Sequence, residues 1–210
     1  MSQLLLAISP LAAMMFVSSI TPGPNNMMLM LSGTQHGFAR TIPHLVGVTL
    51  GTAFLVCLTY LGVGTLLLNY PRVVDAMTLA CAGYLLWMTH RLLLSKPVNA
   101  AATAKASGRP MNLREGLAFQ LVNPKVWTMA LAANGIAAHF PFSPLVNAVL
   151  IALVTITVNL PCMSIWTAFG LVLNRHLAQA RNKRIFDGSM AILIVMIVLW
   201  MLQPILDNAI

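Results

Sequence analysis

The chain has 210 residues, 59% of them hydrophobic and 8% charged, and its mean hydropathy is +0.84. Because soluble domains carry about 25% charged residues, this composition excludes a water-soluble protein and indicates an integral membrane protein. Its apolar runs reach about twenty residues, which predicts transmembrane helices, whereas a barrel would show alternating segments of about ten residues.

Six apolar spans follow one another along the chain, and each exceeds the ~20 residues needed to cross the hydrocarbon core. Their approximate bounds are 4–32, 44–68, 74–94, 115–139, 144–172 and 186–206. We therefore predict a single all-α transmembrane domain over residues 1–210. It consists of a first half over about 1–94, a linker over about 95–114 and a second half over about 115–210.

The first span is broken by a polar, proline-rich stretch made of Thr21, Pro22, Gly23, Pro24, Asn25 and Asn26. The two prolines remove two backbone donors and prevent continuous helical hydrogen bonding. A break at membrane depth is tolerated only where protein or a water-filled cavity satisfies the freed polar groups. The two asparagines add amides that both donate and accept. We predict that this stretch lines a substrate path; the alternative is a packing kink.

Positively charged residues mark the cytoplasmic side of a membrane protein. Ten of the 12 Lys and Arg residues lie in the connections after spans one, three and five or, for Arg91, at the adjoining end of span three, whereas Arg72 is alone on the opposite side. Both termini are therefore predicted to lie outside the cytoplasm. The same distribution accounts for the net charge of +8 as an orientation signal, so nucleic-acid binding is not predicted.

Because each half has three spans, the second half enters the membrane in the opposite sense, as in an inverted repeat. Such a repeat requires a second break in span four, and there Asn123, Pro124 and Lys125 interrupt the apolar run. Paired, proline-interrupted segments in corresponding places of two halves indicate a transporter binding site. Beyond this proline and its polar neighbours, the sequence identity between the halves is negligible.

Lys125 falls well inside a span, where an ammonium group costs about 3 kcal/mol. One interpretation is that span four starts later and Lys125 extends to the cytoplasmic headgroups. The other is that Lys125 faces a polar seam and attracts a carboxylate, either of a substrate or of Glu115.

Pro24 suits the first position of a second half-helix, whose free N–H groups favour an anionic group. A small molecule with a carboxylate, such as a free amino acid, fits this site. In span five, the stretch Asn159-Leu160-Pro161 interrupts the apolar run. Asn159 either extends the polar path or makes an interhelical hydrogen bond.

No cofactor or metal is predicted, because Cys57, Cys81 and Cys162 are far apart and show no C-x-x-C spacing. The same lack of a cysteine pair disfavours a membrane redox carrier. An enzyme would require a cluster of His, Asp or Glu, so we predict that the protein is not one. The acidic residues and histidines fall near span ends and identify no proton-carrying group. A passive channel with the same polar seam stays open, as does assembly into a homo-oligomer.

The pattern resembles the LysE/RhtB family of amino-acid exporters. The resemblance is carried by the TPGPNN break, Gly47-Val48-Thr49-Leu50-Gly51, Gly83-Tyr84-Leu85-Leu86-Trp87 and Asn123-Pro124-Lys125. It covers nearly the whole chain and is nearest to the cysteine/O-acetylserine exporter type. It implies a secondary efflux carrier in the bacterial inner membrane, driven by the proton gradient and working by alternating access on an amino acid or a derivative.

The resemblance also implies that residues 22–26 and 123–125 are the motif positions. One position departs from the pattern. Many members have an acidic residue directly after the second glycine of span two, where this chain has Thr52. The departure makes small neutral amino acids the expected substrates and disfavours cationic ones.

Overall fold

A computed structural model describes residues 3–64, 69–94, 109–174 and 179–207. Every regular element in these residues is helical. The α-helices are α1 (Gln3–Ile20), α2 (Pro24–His36), α3 (Phe38–Leu58), α4 (Pro71–Leu93), α5 (Leu113–Phe119), α6 (Pro124–Ala137), α7 (Pro144–Asn174) and α8 (Ala180–Asp207). The predicted linker lies outside the described residues as far as residue 108, so its conformation stays a prediction.

Three helical segments in the described residues are long and apolar enough to cross a membrane by length and composition. They are Phe38–Val63, Pro144–Leu173 and Arg181–Asp207. They expose large apolar side chains on the outside of the bundle, such as Phe54, Phe169 and Trp200. An apolar outer surface of this kind agrees with the predicted location in a membrane. The other three predicted spans are not among these segments: spans one and four each consist of two shorter helices, and span three is the continuous helix α4.

The break in span one is narrower than the predicted stretch. Helix α1 ends at Ile20 and α2 begins at Pro24, so Asn25 and Asn26 belong to the first turn of α2. Pro24 has no N–H and occupies the first helical position, where no such donor is needed. Gly37, with φ of 80°, separates α2 from α3 in a backbone conformation that glycine adopts without steric cost.

The break in span four lies where it was predicted. Helix α5 ends at Phe119 and continues as a short 3₁₀ turn over Gln120–Val122. Asn123 then has an extended backbone, and Pro124 is the first residue of α6. Each of the two breaks therefore ends at a proline that starts the following helix.

The predicted interruption of span five is wrong. Helix α7 is continuous from Pro144 to Asn174, with Pro161 inside it. Proline is tolerated inside transmembrane helices, because neighbouring groups and local adjustments satisfy the backbone carbonyl that it leaves free. Asn159 therefore projects from an unbroken helix.

Helices α3 and α7 form the centre of the bundle. They pack against each other, α7 also packs against α1 and α2, and α3 packs against α5 and α6. Two of these contacts bring helix backbones together at glycines. A Cβ atom on Gly33 of α2 would lie 2.2 Å from the carbonyl oxygen of Thr167, and one on Gly47 of α3 would lie 2.2 Å from that of Leu113. This close packing holds the broken spans against the central pair.

Candidate substrate site

Lys125 connects the two breaks. Its Nζ donates to the carbonyl oxygen of Thr21 at 2.7 Å, to Thr21 Oγ1 at 3.0 Å and to the carbonyl oxygen of Pro22 at 3.2 Å. The side chain thus points from the start of α6 to the end of α1, instead of extending to headgroups. Of the two interpretations of Lys125, this geometry agrees with the one in which it faces a polar seam.

Glu115 is not the partner of Lys125. Its Oε2 accepts from Arg109 Nη1 at 2.7 Å and from the backbone N–H of Asn112 at 2.9 Å. Asn112 in turn caps the backbone N–H of Glu115, which completes a capping box at the start of α5. The hydrogen bond and the charge of Glu115 raise the pKa of the Arg109 guanidinium above its ordinary value. The carboxylate is therefore fully occupied at the helix end.

The carbonyl groups at the end of α1 are satisfied by side chains. A helix leaves its last carbonyls without intrahelical partners, and here donors from several helices supply the missing hydrogen bonds. Besides Lys125, three other side chains donate to these carbonyls. Thr21 Oγ1 donates to Ser18 O at 3.1 Å, Asn26 Nδ2 donates to Ser19 O at 2.8 Å, and Trp166 Nε1 donates to Ile20 O at 3.1 Å. The break is thus held open by specific contacts.

A second link between the breaks is a reciprocal amide pair. Asn25 Nδ2 donates to Gln120 Oε1 at 2.8 Å, and Gln120 Nε2 donates to Asn25 Oδ1 at 3.2 Å. Gln120 Nε2 also donates to the carbonyl oxygen of Gly116 at 2.8 Å. Both amides are buried, so the pair replaces water as their hydrogen-bond partner and fixes the start of α2 against the turn before α6.

Asn159 contributes from α7 to the same polar region. Its Nδ2 donates to Ser19 Oγ at 3.1 Å, and its Oδ1 accepts from Thr49 Oγ1 at 3.1 Å. Asn159 is buried and lines the same cavity as Asn26. Asn159 therefore makes the interhelical hydrogen bonds that were one of its two predicted roles, and it also lines this cavity.

Asn123 caps α6 with its Oδ1, which accepts from the backbone N–H of Lys125 at 3.2 Å. Its Nδ2 is buried and has no partner in the described part of the chain. Thr52 Oγ1 in α3 is likewise buried without a partner there. Both residues line the cavity. A buried polar group without a partner costs free energy, so two of them at one cavity indicate a place for a polar ligand or water.

Gly23 provides the space for the Lys125 side chain. A Cβ atom at this position would lie 2.7 Å from Lys125 Cδ and 2.9 Å from Nζ. The φ of Gly23 is −173°, an extended conformation that any residue adopts. Close approach of the lysine, not backbone strain, is therefore what requires glycine here.

The cavity is small, and most of the residues that line it have polar side chains. About 20 Å³ of it is open to the centres of water molecules, enough for one or two waters and too little for an amino acid. The apolar part of its wall comes from Val126, Met129 and Met163. The polar lining consists of Ser18, Ser19, Asn25, Asn26, Thr52, Asn123, Lys125 and Asn159. No carboxylate is among these lining residues.

Half of the predicted site residues line this cavity, and the other half form the backbone of the two helix breaks beside it. Asn25, Asn26, Asn123, Lys125 and Asn159 belong to the lining. The backbone-shaping group consists of Thr21, Pro22, Gly23, Pro24 and Pro124.

Four residues of this region were not predicted from the sequence as site residues: Ser18, Ser19, Gln120 and Thr52, the last of which was noted only as a departure from the family pattern. Gln120 carried a usable signal, since an amide flanked by Phe119 and Leu121 in an apolar run demands a buried partner. The hydroxyl residues carried no such signal, because their side chains can bond to carbonyls of their own helix.

Apolar helices with two facing, proline-started breaks around a buried polar cavity form the architecture expected of a membrane transporter. The model of the LysE type translocator family matches residues 16–203 of the chain. The chain therefore belongs to the LysE type translocator family, as the motifs had indicated.

Curated relatives match a shorter part of the chain. The cysteine/O-acetylserine efflux protein of Salmonella paratyphi A is 29% identical over 56% of the chain and 58% of its own length. The leucine efflux protein of Klebsiella pneumoniae is 31% identical over 50% of the chain and 51% of its own length. The Escherichia coli K12 cysteine/O-acetylserine efflux protein is 31% identical over 52% of the chain and 54% of its own length. The chain thus spans little more than half the length of these relatives. No solved structure matches it.

Proposed function

We propose that the protein is a secondary transporter that exports small neutral amino acids, or their derivatives, from the bacterial cytoplasm. The observation that carries this proposal is the facing pair of helix breaks, joined through Lys125 around a buried polar cavity. Broken helices present free N–H groups at one end and free carbonyl groups at the other. An amino acid carries the two complementary charges.

The charges at the site favour a zwitterion with a neutral side chain. The start of α2 and the Lys125 ammonium are positive, and the end of α1 is negative, so both the carboxylate and the ammonium of an amino acid find a complement. A cationic side chain would require a further carboxylate, which is absent from the cavity lining. The relatives named for efflux of cysteine, O-acetylserine and leucine agree with neutral substrates.

The helix contacts support an inverted repeat. Exchanging α1 with α5, α2 with α6, α3 with α7 and α4 with α8 converts most of the observed packing pairs into observed pairs. For example, α1 against α7 corresponds to α5 against α3, and α2 against α8 corresponds to α6 against α4. We therefore propose two inverted repeats of three spans each, about 1–94 and 115–210, with both termini outside the cytoplasm. Rocking of one repeat against the other opens the site alternately to each side.

The small cavity supports alternating access over a passive channel. The space between the breaks is small in this structure, which supports a mechanism in which the breaks separate when substrate enters. A redox carrier finds no support, because Cys57, Cys81 and Cys162 are unpaired and lie in three different helices.

The proposal is tested with purified protein in liposomes loaded with labelled serine, cysteine, leucine or lysine. We expect saturable efflux of the neutral amino acids, little efflux of lysine, and loss of uphill transport when an uncoupler removes an imposed proton gradient. Linear, uncoupler-insensitive flux would identify a channel instead. No amino-acid flux at all would contradict the proposed function.

Asn159→Ala is the matched variant for the site. It removes the hydrogen bonds to Ser19 and Thr49 inside the cavity, and we expect at least a tenfold loss of kcat/KM, the equivalent of about 1.4 kcal/mol. Asn134→Ala is the control, because Asn134 donates to Thr59 Oγ1 at 2.8 Å away from the cavity. Equal losses of transport in the two variants would show that Asn159 acts only through packing.

A further inference from the structure

The end of α1 holds a complete binding site for a primary ammonium group. An ammonium has three N–H donors and no acceptor. All three donors of Lys125 are used, on Thr21 O, Thr21 Oγ1 and Pro22 O. Thr21 Oγ1 gives its own proton to Ser18 O, so only its lone pairs are left for the ammonium. The site also lies at the negative end of the α1 dipole, which favours a cation.

We propose that these three oxygen atoms bind the α-ammonium group of the substrate, and that Lys125 occupies their site in its place when no substrate is bound. This inference rests on the proposed function, since it names the part of an amino acid that the break recognises. The Lys125 ammonium is chemically the same group as the substrate's, a primary ammonium on an sp³ carbon. Lys125 lines the cavity, and Thr21 and Pro22, which carry the three oxygens, are exposed, so an incoming amino acid can reach the site.

The exchange conserves charge in the site. When the substrate ammonium takes the three oxygens, the displaced Lys125 is free to pair with the substrate carboxylate. Asn123 Nδ2, buried and without a partner in the described residues, adds a donor beside it. In both states one ammonium is hydrogen-bonded by the three oxygens, and in the bound state the second ammonium, that of Lys125, is paired with the substrate carboxylate. Molecules with a carboxylate but no N–H donors cannot make the exchange.

Chemical rescue of Lys125→Ala tests the ammonium site directly. The variant keeps Cβ and leaves space for a chain of three carbons and an ammonium, the size of n-propylammonium. We expect the purified variant in detergent to melt at a lower temperature than the parent. We expect n-propylammonium chloride to raise its Tm saturably by about 2–4 °C, with little effect on the parent, whose site is occupied. Tetramethylammonium chloride, which has no N–H, should not raise it.

Gly23→Ala added to Lys125→Ala is the control for position. Its Cβ atom would occupy the space within 2.9 Å of the ammonium, so the double variant should lose the stabilisation by n-propylammonium. The same Tm increase in the double variant would show that the amine acts elsewhere and would overturn the inference. So would equal stabilisation by the two ammonium salts.

A competition experiment with the unaltered protein tests the same inference. Efflux of L-serine, or of the amino acid transported best in the panel above, is measured in competition with its N,N,N-trimethyl derivative. We expect the trimethyl compound to inhibit at least tenfold more weakly than the unlabelled amino acid. Equal inhibition would overturn the inference while leaving amino-acid transport intact. Absence of any transport would instead contradict the proposed function.

Discussion

Among single residues, the polar side chains that line the cavity differ in whether they have hydrogen-bond partners. Asn25, Asn26 and Asn159 have all found hydrogen-bond partners on other residues. Thr52 Oγ1 and Asn123 Nδ2 have none among the described residues, although both residues are buried. An unpaired buried group costs about 1–3 kcal/mol, so the two groups without partners weaken the empty protein and favour a ligand that satisfies them.

The variant Thr52→Val tests whether the Thr52 hydroxyl group contributes to substrate binding or to the stability of the protein. The change keeps the shape and removes a hydroxyl without a partner, so we expect the free energy of unfolding to stay equal or rise by about 1 kcal/mol. We expect the KM for the transported amino acid to rise. Stability is measured by thermal unfolding in detergent and KM by efflux from liposomes.

Thr49→Val is the matched control for this change. Thr49 Oγ1 donates to Asn159, so its loss should lower stability by about 1 kcal/mol. If Thr52→Val destabilises the protein as much as Thr49→Val does, its hydroxyl has a structural partner and no role in binding.

Among the elements, the helix contacts depend on glycines that allow backbones to touch. At the crossing of α2 and α7, a Cβ atom on Gly170 would lie 2.0 Å from the carbonyl oxygen of Met30, and the same relation holds between Gly33 and Thr167. Small residues are what allow such approaches between membrane helices. Because α2 starts at the first break, this crossing sets the position of Asn25 and Asn26.

Gly33→Ala is expected to separate α2 from α7. Its Cβ atom would lie 2.2 Å from the backbone oxygen of Thr167, which cannot move without the rest of α7. Over-packing of this kind lowers the free energy of unfolding by about 1–3 kcal/mol. Gly135→Ala in α6 is the control, since nothing lies within 4 Å of its Cβ atom and alanine is a better helix former. Melting temperatures and efflux rates of the two variants check this. Equal behaviour would contradict the close crossing.

For the whole molecule, the decisive property is its orientation in the membrane. The basic residues concentrate on one side, against Arg72 on the other. In the structure, Leu113 at the start of α5 lies against Gly47 in the middle of α3, and Leu117 lies against Gly51, so the two helices run in the same direction. Arg40 near the start of α3 and Arg109 before α5 therefore lie towards the same end of the bundle. The fold and the charge rule thus agree on which ends belong together.

Reporter fusions test this orientation. We expect alkaline phosphatase fused to the C-terminus to be active, because it lies outside the cytoplasm. Green fluorescent protein fused after Asn112, just before α5, should fluoresce, because it stays in the cytoplasm. A fluorescent C-terminal fusion would invert the proposed direction of both repeats and would contradict the count of basic residues.

The sequence by itself determined the features that local chemistry dictates. Pro24 and Pro124 lack an N–H and suit the first position of a helix, and polar residues beside each of them interrupt the apolar run, so both breaks were predictable. The composition required apolar helices, and the TPGPNN motif identified the family that the comparison with family models confirms. The same local reasoning failed at Pro161, where neighbouring groups compensate for the lost hydrogen bond and α7 continues.

Only the tertiary structure decided which groups meet. Lys125 and Thr21 are 104 residues apart in the chain, and nothing in either segment specifies that the ammonium ends on the carbonyls of α1. The pairing of Asn25 with Gln120 has the same origin. Hydrogen bonds between distant residues depend on how helices cross, and the crossings are set by the volume left at glycines such as Gly33 and Gly47. The sequence therefore specified where spans one and four break, and the packing specified which groups those breaks contact.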